Sequence, residues 1–201
     1  MDKKQIALFY GAVLHDIGKA VQRKDNLQIK HPIIGANYLK QFDVSKDILE
    51  QVRYHHVSSY ESSKKDGIES AGLSKDSLAY ITYIADNISS ATDRKRNDIS
   101  DTRNNYGKFY SNIELEDIFN RFGNVHSERH MLPQMLDLKI KNIFPQESRV
   151  ARNFSKGEYA VIVDKITENL SKLEFSEEYM QSVLHLLEAT MSYIPSSTDS
   201  K

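Results

Sequence analysis

The chain has 201 residues and a net charge of -1, with 39% hydrophobic and 27% charged residues. That length allows one sizeable core, or one domain with an appendage, and the composition excludes a disordered chain. The near-neutral charge excludes a protein that is basic overall, so any nucleic-acid binding must come from local patches. The sequence contains no cysteine, which excludes disulfides and thiolate metal sites and leaves only nitrogen and oxygen ligands for a metal.

The amino end and the apolar runs of the sequence indicate the cellular location of the protein. MDKK followed by an apolar stretch resembles the start of a signal peptide, but HDIGK follows where a cleavage site would be needed. No apolar run approaches the ~20 residues of a membrane span. Together with the lack of cysteine, these features predict a cytoplasmic protein with no membrane partner.

The first hundred residues have the periodicity of helices joined by polar loops. Residues 4–17 are apolar nearly all round, which predicts a buried helix, and Gly18 is suited to end it. Pro32 suits the first position of a second helix, with His31 as its flanking cap. Ser45 predicts the N-cap of a third helix that runs through the string YHH.

A fourth helix is predicted from about residue 77 to residue 93. Its packing face is predicted from apolar residues at helical spacing, which are Ile81, Ile84, Ala85 and Ile88. A polar row beside them predicts a face free for chemistry or water, and its members are Thr82, Asp86, Ser89 and Asp93.

The second half of the chain predicts a loop, a β element and two more helices. Residues 94–108 are polar and partly basic, which predicts a loop, and the alternation in LDLKIKNIF after the turn FGN predicts strands. Residues 155–173 and 176–193 predict amphipathic helices.

These elements predict a mainly α fold with four parts. They are a helical core over residues 1–105, a small β appendage over 106–150, helices packing on the core over 151–195, and a linker-like tail over 196–201.

His15 and Asp16 stand at the end of the apolar first helix. Burying an ionised carboxylate without a compensating charge is costly, so Asp16 requires a partner. A metal ion gripped by His15 and Asp16 would supply that charge. An ion pair with Lys19 is the alternative, and it is the favoured one for an isolated HD pair.

Two adjacent histidines shift that balance toward a metal. His55 and His56 extend the apolar stripe of the third helix, so both imidazoles are expected to face the interior. A single buried histidine is usually a hydrogen-bonded core residue, whereas two neighbours favour ligation by neutral imidazole. His31 is predicted to face inward as well, as a ligand or as an ordinary cap. Asp86 completes the set, although alone it would be interpreted as a solvated carboxylate.

The ordered set of HD pair, His31, histidine pair and Asp86 resembles the HD superfamily of metal-dependent phosphohydrolases. The strings LHDIGK, YHH and YIADNISS are similar to the HD nuclease domain at the amino end of the large subunit of type III-A CRISPR effector complexes. The motifs of this resemblance cover residues 5–93. It implies an HD-domain helical bundle, a site for one or two transition-metal ions, and cleavage of single-stranded DNA in antiviral defence.

The resemblance and the donor chemistry together suggest roles for named residues. The expected metal ligands are His15, Asp16, His31, His55, His56 and Asp86. Asp16 would bridge or anchor the ions, and Lys19 would hold substrate phosphate or be an ordinary exposed lysine. Imidazole-rich ligation favours Mn, Co, Ni, Fe or Zn over Mg. The predicted loop over residues 94–108 has cations that could bind along single-stranded nucleic acid or simply be solvated. They are Arg94, Arg96, Arg103 and Lys108.

Two features depart from the family pattern. Many HD enzymes carry another histidine ahead of the HD pair, and residues 1–14 contain none. The similar CRISPR domains are circularly permuted, which would move that element later in the chain; His185 is a candidate, but its leucine neighbours favour a core histidine. The family's G-G-D-D cyclase motif is absent, so cyclic oligoadenylate synthesis is not implied and an excised domain is expected.

The resemblance also implies partners, namely the other subunits and the guide RNA of the effector complex. Two other functions stay open at the level of sequence. One is an HD phosphohydrolase that acts on nucleotides or cyclic dinucleotides. The other is a module with a degenerate HD site that only docks to other subunits.

Overall fold

Helices make up most of the described chain. The computed structural model describes residues 1–58, 66–93, 154–192 and 194, together with three short strands. Its α-helices are, in chain order, α1 (Lys3–Leu14), α2 (Ile17–Asp25), α3 (His31–Leu39), α4 (Lys46–Arg53), α5 (Ala79–Asp93), α6 (Lys156–Leu170) and α7 (Met180–Met191). This confirms the predicted mainly α fold. Among these helices, none is both long enough and apolar enough to cross a membrane.

The chain divides into two compact units. The first comprises Met1–Asp93 and Lys156–His185, and the second comprises Arg94–Ser155 and Leu186–Lys201. The second unit contains β1 (Leu115–Glu116), β2 (His130–Leu132) and β3 (Gln146–Ser148) in an antiparallel sheet of order β1-β2-β3. These strands lie where the β appendage was predicted. The stretch LDLKIKNIF lies outside the described residues, and the domain boundaries at 105, 150 and 195 stay predictions.

Side-chain caps fix the start of two helices in the first unit. Asp2 accepts a hydrogen bond from the Gln5 backbone N–H at 2.8 Å, and the Gln5 side chain accepts one from the Asp2 N–H at 3.0 Å. This reciprocal pair is a capping box. The Ser45 hydroxyl accepts from the Ile48 N–H at 3.4 Å, which confirms Ser45 as the N-cap of α4.

The predicted first helix is two helices with a break at the HD pair. α1 ends at Leu14 and α2 begins at Ile17, so the prediction of one helix ended by Gly18 is wrong. Gly18 lies inside α2, and a Cβ there would lie 2.0 Å from the His31 carbonyl oxygen and 2.7 Å from the Gly35 nitrogen. Glycine is therefore needed for α2 to cross α3 at this distance. Ala12 is exposed, so α1 is not buried all round as predicted.

α5 packs on the face opposite to the predicted one. Ile81, Ile84 and Ile88 are 49%, 55% and 65% exposed, whereas Thr82 is only 3% exposed. Ala85, also predicted to pack, is exposed as well. The Thr82 hydroxyl donates a hydrogen bond of 2.7 Å to the buried Gln51 side chain, which holds Thr82 against α4. The prediction of an apolar inner face is therefore wrong.

α6 covers α2 and α3 and confirms the helix predicted over residues 155–173. Ile162 and Ile166 are fully buried. The Tyr38 hydroxyl of α3 lies 2.8 Å from the Thr167 hydroxyl of α6. α7 lies within the helix predicted over residues 176–193.

Removing the hydroxyl of Tyr10 is expected to test the packing of α1. Tyr10 is fully buried, its ring packs edge-on against Phe175 at 5.1 Å, and its hydroxyl donates to the Ser176 carbonyl at 2.7 Å. Tyr10→Phe should lower the free energy of unfolding by about 1 kcal/mol, because one hydrogen bond is lost. Tyr10→Ala should lower it by about 3–5 kcal/mol, because a cavity is added.

Urea denaturation measures both changes in Tyr10. The matched control is Tyr80→Phe, since Tyr80 is 36% exposed. Removing its hydroxyl should change the free energy of unfolding by under about 0.5 kcal/mol. Equal stability of Tyr10→Ala and the wild type would show that this core contact is absent.

Candidate metal centre

The HD pair occupies the break between α1 and α2. His15 follows the last residue of α1, and Asp16 precedes the first residue of α2. The His15 Nδ1 atom lies 2.7 Å from the Ala12 carbonyl oxygen. A carbonyl can only accept, so the Nδ1 N–H donates this hydrogen bond and Nε2 is left for other contacts. That Nε2 lies 3.5 Å from Asp16 Oδ2 and 3.6 Å from Asp86 Oδ1.

His31 reaches the HD pair from the start of α3. Lys30 is the N-cap of α3, so His31 is the first helical residue and not the flanking cap that was predicted. Its Nε2 lies 3.2 Å from Asp16 Oδ1. The close crossing of α2 and α3 at Gly18 explains this approach, because it brings the start of α3 beside the start of α2.

α4 ends at Arg53, so the prediction that this helix runs through YHH is wrong. His55 lies just beyond the end of α4 and is fully buried. Its Nδ1 lies 2.8 Å from the Val52 carbonyl, so the Nδ1 N–H donates to that oxygen and Nε2 is left for other contacts. That Nε2 lies 3.7 Å from Asp16 Oδ1 and 3.2 Å from His31 Nε2. The prediction that His55 faces the interior is confirmed.

His56 and Asp86 form the outer side of the cluster. The His56 side chain is 39% exposed, so it lies at the rim and not in the interior as predicted. Its Nδ1 lies 3.7 Å from Asp86 Oδ2. The Asp86 carboxylate, 19% exposed, therefore contacts His15 through one oxygen and His56 through the other.

Lys19 forms the ion pair that the sequence offered as the alternative to a metal. Its Nζ lies 2.5 Å from Asp16 Oδ2, and its side chain is 38% exposed. The ion pair satisfies Oδ2 only. Asp16 Oδ1 is buried and has no hydrogen-bond partner.

A segment at residues 66–70 forms hydrogen bonds and an ion pair with residues at or next to the histidines of the site. The Ile68 N–H donates to the His56 carbonyl at 2.9 Å. Asp66 pairs with Lys30, the residue before His31, at 2.7 Å, and its own carbonyl accepts from Arg53 at 3.2 Å. These contacts could not be predicted, because the sequence of this segment has only the composition of a loop.

The protonation states suit metal ligation. Burial would raise the pKa of Asp16, but contacts with His31 and His55 and the nearby charge of Lys19 hold that pKa well below its usual range. Burial, with the neighbouring His55 and His31, lowers the pKa of His56 to about 3. Burial also lowers the pKa of His31. At neutral pH, Asp16 is therefore an anion, and His31 and His56 are neutral imidazoles.

These residues fit a divalent cation. One ligand atom from each of Asp16, His31, His55 and His56 lies within 4.8 Å of all the others. The buried Asp16 Oδ1 has no hydrogen-bond partner and lies 3.2 Å from His31 Nε2 and 3.7 Å from His55 Nε2, so a cation among these atoms would satisfy it. An imidazole and carboxylate donor set without sulfur favours a transition metal over Mg.

The structure brings together all of the predicted ligands and Lys19, but not every other predicted residue can be located. Arg94, Arg96, Arg103 and Lys108 lie outside the described residues. His185 is exposed on α7, so its interpretation as a core histidine is wrong. Gln51 was not predicted to have a role, although the sequence carries a signal for one: it is a polar residue in the buried stripe of Ile48 and Val52.

Comparison with known proteins defines the class. Residues 2–91 match the model of the HD domain family, and the site described above lies wholly in that range. This agrees with the histidine and aspartate cluster and with the helical fold.

Over its whole length, the chain is similar to CRISPR proteins. It is 41% identical over 202 residues to the CRISPR system single-strand-specific deoxyribonuclease Cas10/Csm1 (subtype III-A) of Streptococcus thermophilus, with 100% of this chain and 25% of that protein covered. It is 34% identical over 221 residues to the protein of the same name in Mycobacterium tuberculosis, with 99% and 26% covered. The resemblance found in the motifs is confirmed. The chain spans about a quarter of the length of these curated relatives.

A solved structure supports the fold. The crystal structure of Csm1 in T. onnurineus superposes with a TM-score of 0.59 at 19% sequence identity, covering 96% of this chain and 25% of that one.

Proposed function

We propose that this chain is a metal-dependent phosphodiesterase that cleaves single-stranded DNA as the HD domain of a type III-A CRISPR large subunit. The observation that carries the proposal is the convergence of an unpartnered carboxylate oxygen and three imidazoles within 4.8 Å. The names of the relatives, which are single-strand-specific deoxyribonucleases, support the choice of substrate. In this proposal the chain works in the cytoplasm with guide RNA and the other effector subunits.

The donor atoms suggest two groups of ligands that share Asp16. His31, His55 and His56 would hold one ion, and His15 with Asp86 would hold a second, with Asp16 anchoring both. A bound divalent cation supplies positive charge at the scissile phosphate and lowers the pKa of water. Mn, Co, Ni, Fe or Zn suits this donor set.

The protein's own groups orient this chemistry. The Ala12 and Val52 carbonyls accept from the Nδ1 N–H groups of His15 and His55, so the Nε2 atoms are the ring nitrogens that would ligate a metal. Asp86 would hold His15 and His56 at a fixed separation. No side-chain nucleophile is needed, because water can attack the phosphorus in line.

Metal dependence and strand preference are the first expected results. With Mn2+, Co2+ or Ni2+, the chain is expected to shorten an end-labelled single-stranded oligonucleotide and to leave the duplex form intact. Excess chelator should stop the reaction, and His15→Ala should slow it by at least about 10-fold, as losses around metal sites do. Gel analysis of the labelled strand measures both.

The control for His15→Ala is His185→Ala, which removes an exposed histidine from α7 and should cleave as the wild type does. Equal cleavage by His15→Ala and the wild type would contradict the site. Release of phosphate or mononucleotide from nucleotides or cyclic dinucleotides, with DNA left intact, would indicate a small-molecule phosphohydrolase. Calorimetry that detects no divalent cation binding would indicate a docking module.

Lys19 is proposed to attract the substrate phosphate. Its ammonium group is partly exposed beside Asp16 and supplies a positive charge at the edge of the cluster. Lys19→Gln is expected to raise KM for single-stranded DNA by about 10-fold, because an interaction that binds the substrate in the ground state is lost. The affinity for the metal should change much less. Steady-state kinetics and calorimetry measure the two effects. An unchanged KM with weakened metal binding would show that Lys19 pairs with Asp16 but does not bind the substrate.

The basic segment 94–108 is proposed to follow the strand away from the site. Its cations Arg94, Arg96, Arg103 and Lys108, with Tyr106 for base stacking, have the chemistry of a single-strand track.

A further inference from the structure

A buried amide joins the helices that carry much of the candidate site. Gln51 of α4 is fully buried. Its Nε2 donates to the Ala7 carbonyl of α1 and to the Asp47 carbonyl of α4, both at 2.9 Å. Its Oε1 accepts from the Thr82 hydroxyl of α5 at 2.7 Å. Both N–H groups and the carbonyl oxygen of the amide are therefore used, and two carbonyl acceptors fix which end carries nitrogen.

Each of the joined helices leads into the site. α1 ends immediately before His15, and α4 ends shortly before His55. Asp86 follows Thr82 by four residues, which is about one turn of α5. α1 also makes room for the amide, because a Cβ on Gly11 would lie 2.2 Å from the Gln51 side chain.

Apolar packing explains only part of the orientation of α5, since the small Ala79 is the buried hydrophobic residue on the same face as Thr82. Its isoleucine stripe is exposed at Ile81, Ile84 and Ile88, while Thr82 is buried. Burial of that stripe alone would favour turning α5 so that the isoleucines faced inward, which would carry Asp86 away from His15. The hydrogen bond from Thr82 to Gln51 opposes that rotation, because breaking it would leave buried polar groups unpaired.

We propose that Gln51 and Thr82 are positioning residues for the metal centre, and that their hydrogen bond sets the distance of Asp86 from His15 and His56. The proposal rests on the metal site of the proposed function. It goes further by assigning the geometry of that site to two residues whose hydrogen bonds go to Ala7, to Asp47 and to one another.

Two pairs of variants isolate the Thr82 hydroxyl. Thr82→Val removes it from a side chain of the same shape, and Thr82→Ser retains it. Thr82→Ala differs from Thr82→Ser by the hydroxyl alone. This second pair therefore tests the hydroxyl even if Thr82→Val folds poorly. The matched control is Tyr38→Phe, which removes another hydrogen bond between helices, 2.8 Å from Tyr38 to Thr167, in the same unit.

The readout is Co2+ titrated into the whole chain and followed by visible absorption and calorimetry, with thermal melting alongside. Visible Co2+ bands report ligand number and geometry, which a purely structural role would not alter. We expect Thr82→Val and Thr82→Ala to bind Co2+ about 10–100-fold more weakly than the wild type and Thr82→Ser, with shifted bands. Tyr38→Phe should melt lower but keep the wild-type bands and affinity.

The outcomes separate this proposal from the one on which it rests. If the wild type binds Co2+ and both hydroxyl-free variants keep its bands and affinity, the positioning role is overturned and the metal site stands. A wild type that binds no Co2+ overturns both proposals. Shifted bands in Tyr38→Phe equal to those in Thr82→Val would show that any loosened contact has this effect, which also overturns the positioning role.

Discussion

Asp16→Asn is expected to lower metal-dependent cleavage of single-stranded DNA by at least about 100-fold, because loss of a direct ligand should exceed the 10–100-fold losses caused by outer partners. Asparagine keeps the shape of the side chain and removes its negative charge. The buried Oδ1 that faces His31 and His55 is then a neutral amide atom, a much weaker partner for a cation.

The same change is expected to leave the fold intact. Asp16 precedes α2 without making a side-chain capping bond, so α2 loses no cap when the residue becomes asparagine. Loss of activity would then reflect the site and not unfolding. Circular dichroism, calorimetry with Mn2+ or Co2+, and cleavage rates separate these effects.

Asp164→Asn provides the matched control for Asp16→Asn. Asp164 also pairs with a lysine, Lys24 at 3.0 Å, but it is 69% exposed on α6. Losing this exposed pair should leave cleavage and metal binding unchanged. Undiminished cleavage by Asp16→Asn, with the wild-type response to metal, would remove Asp16 from the catalytic centre.

The sequence predicted which side chains converge better than it predicted the helices that hold them. The spacing of Ile48, Val52 and His55 predicted that His55 is buried, and this is correct because the buried side of α4 continues past its end. His56 could not be assigned in the same way. Its position depends on the Ile68 N–H that binds its carbonyl, a contact across an irregular segment.

The orientation of α5 shows why apolar periodicity can mislead. The pattern correctly located a stripe at Ile81, Ile84 and Ile88, but periodicity identifies a stripe and not what covers it. Thr82 faces inward because a fully hydrogen-bonded amide on another helix binds it, and that amide comes from Gln51, 31 residues earlier. A single polar residue within the apolar stripe of α4 was the available signal.

The break at the HD pair depends on long-range contact in the same way. Apolar spacing continues across His15 and Asp16, so the sequence predicted one helix, and Gly18 matched a common stop. The reason for glycine there lies in α3, where the His31 carbonyl leaves no room for a side chain. A local pattern contains no information about that crossing.

Gly18→Ala is expected to be the most destabilising single methyl addition at the crossing of α2 and α3. The new Cβ would lie 2.0 Å from the His31 carbonyl oxygen and 2.7 Å from the Gly35 nitrogen, both backbone atoms that cannot rotate away. Alanine favours a helix over glycine by about 1 kcal/mol. Overpacking against rigid backbone costs about 3 kcal/mol or more, so the net loss in free energy of unfolding should be at least about 2 kcal/mol.

Gly35→Ala probes the same crossing from its other side and should cost less. Its Cβ would lie 3.1 Å from the Gly18 nitrogen and 3.1 Å from a Val52 methyl group, which a shift of a few tenths of an ångström relieves. The helix preference for alanine then offsets most of the strain, and the net change should stay within about 1 kcal/mol. Gly157→Ala, at an exposed position of α6, should be neutral or stabilising.

The order of these glycine variants in urea denaturation tests the crossing, and metal binding tests its consequence. Separating α2 from α3 would draw Asp16 away from His31, so Gly18→Ala should weaken Mn2+ or Co2+ binding even where the protein remains folded. Gly35→Ala should bind metal nearly as the wild type does. If Gly18→Ala were as stable as Gly157→Ala, α2 and α3 would not meet at Gly18. The close approach of Asp16 to His31 would then need another cause.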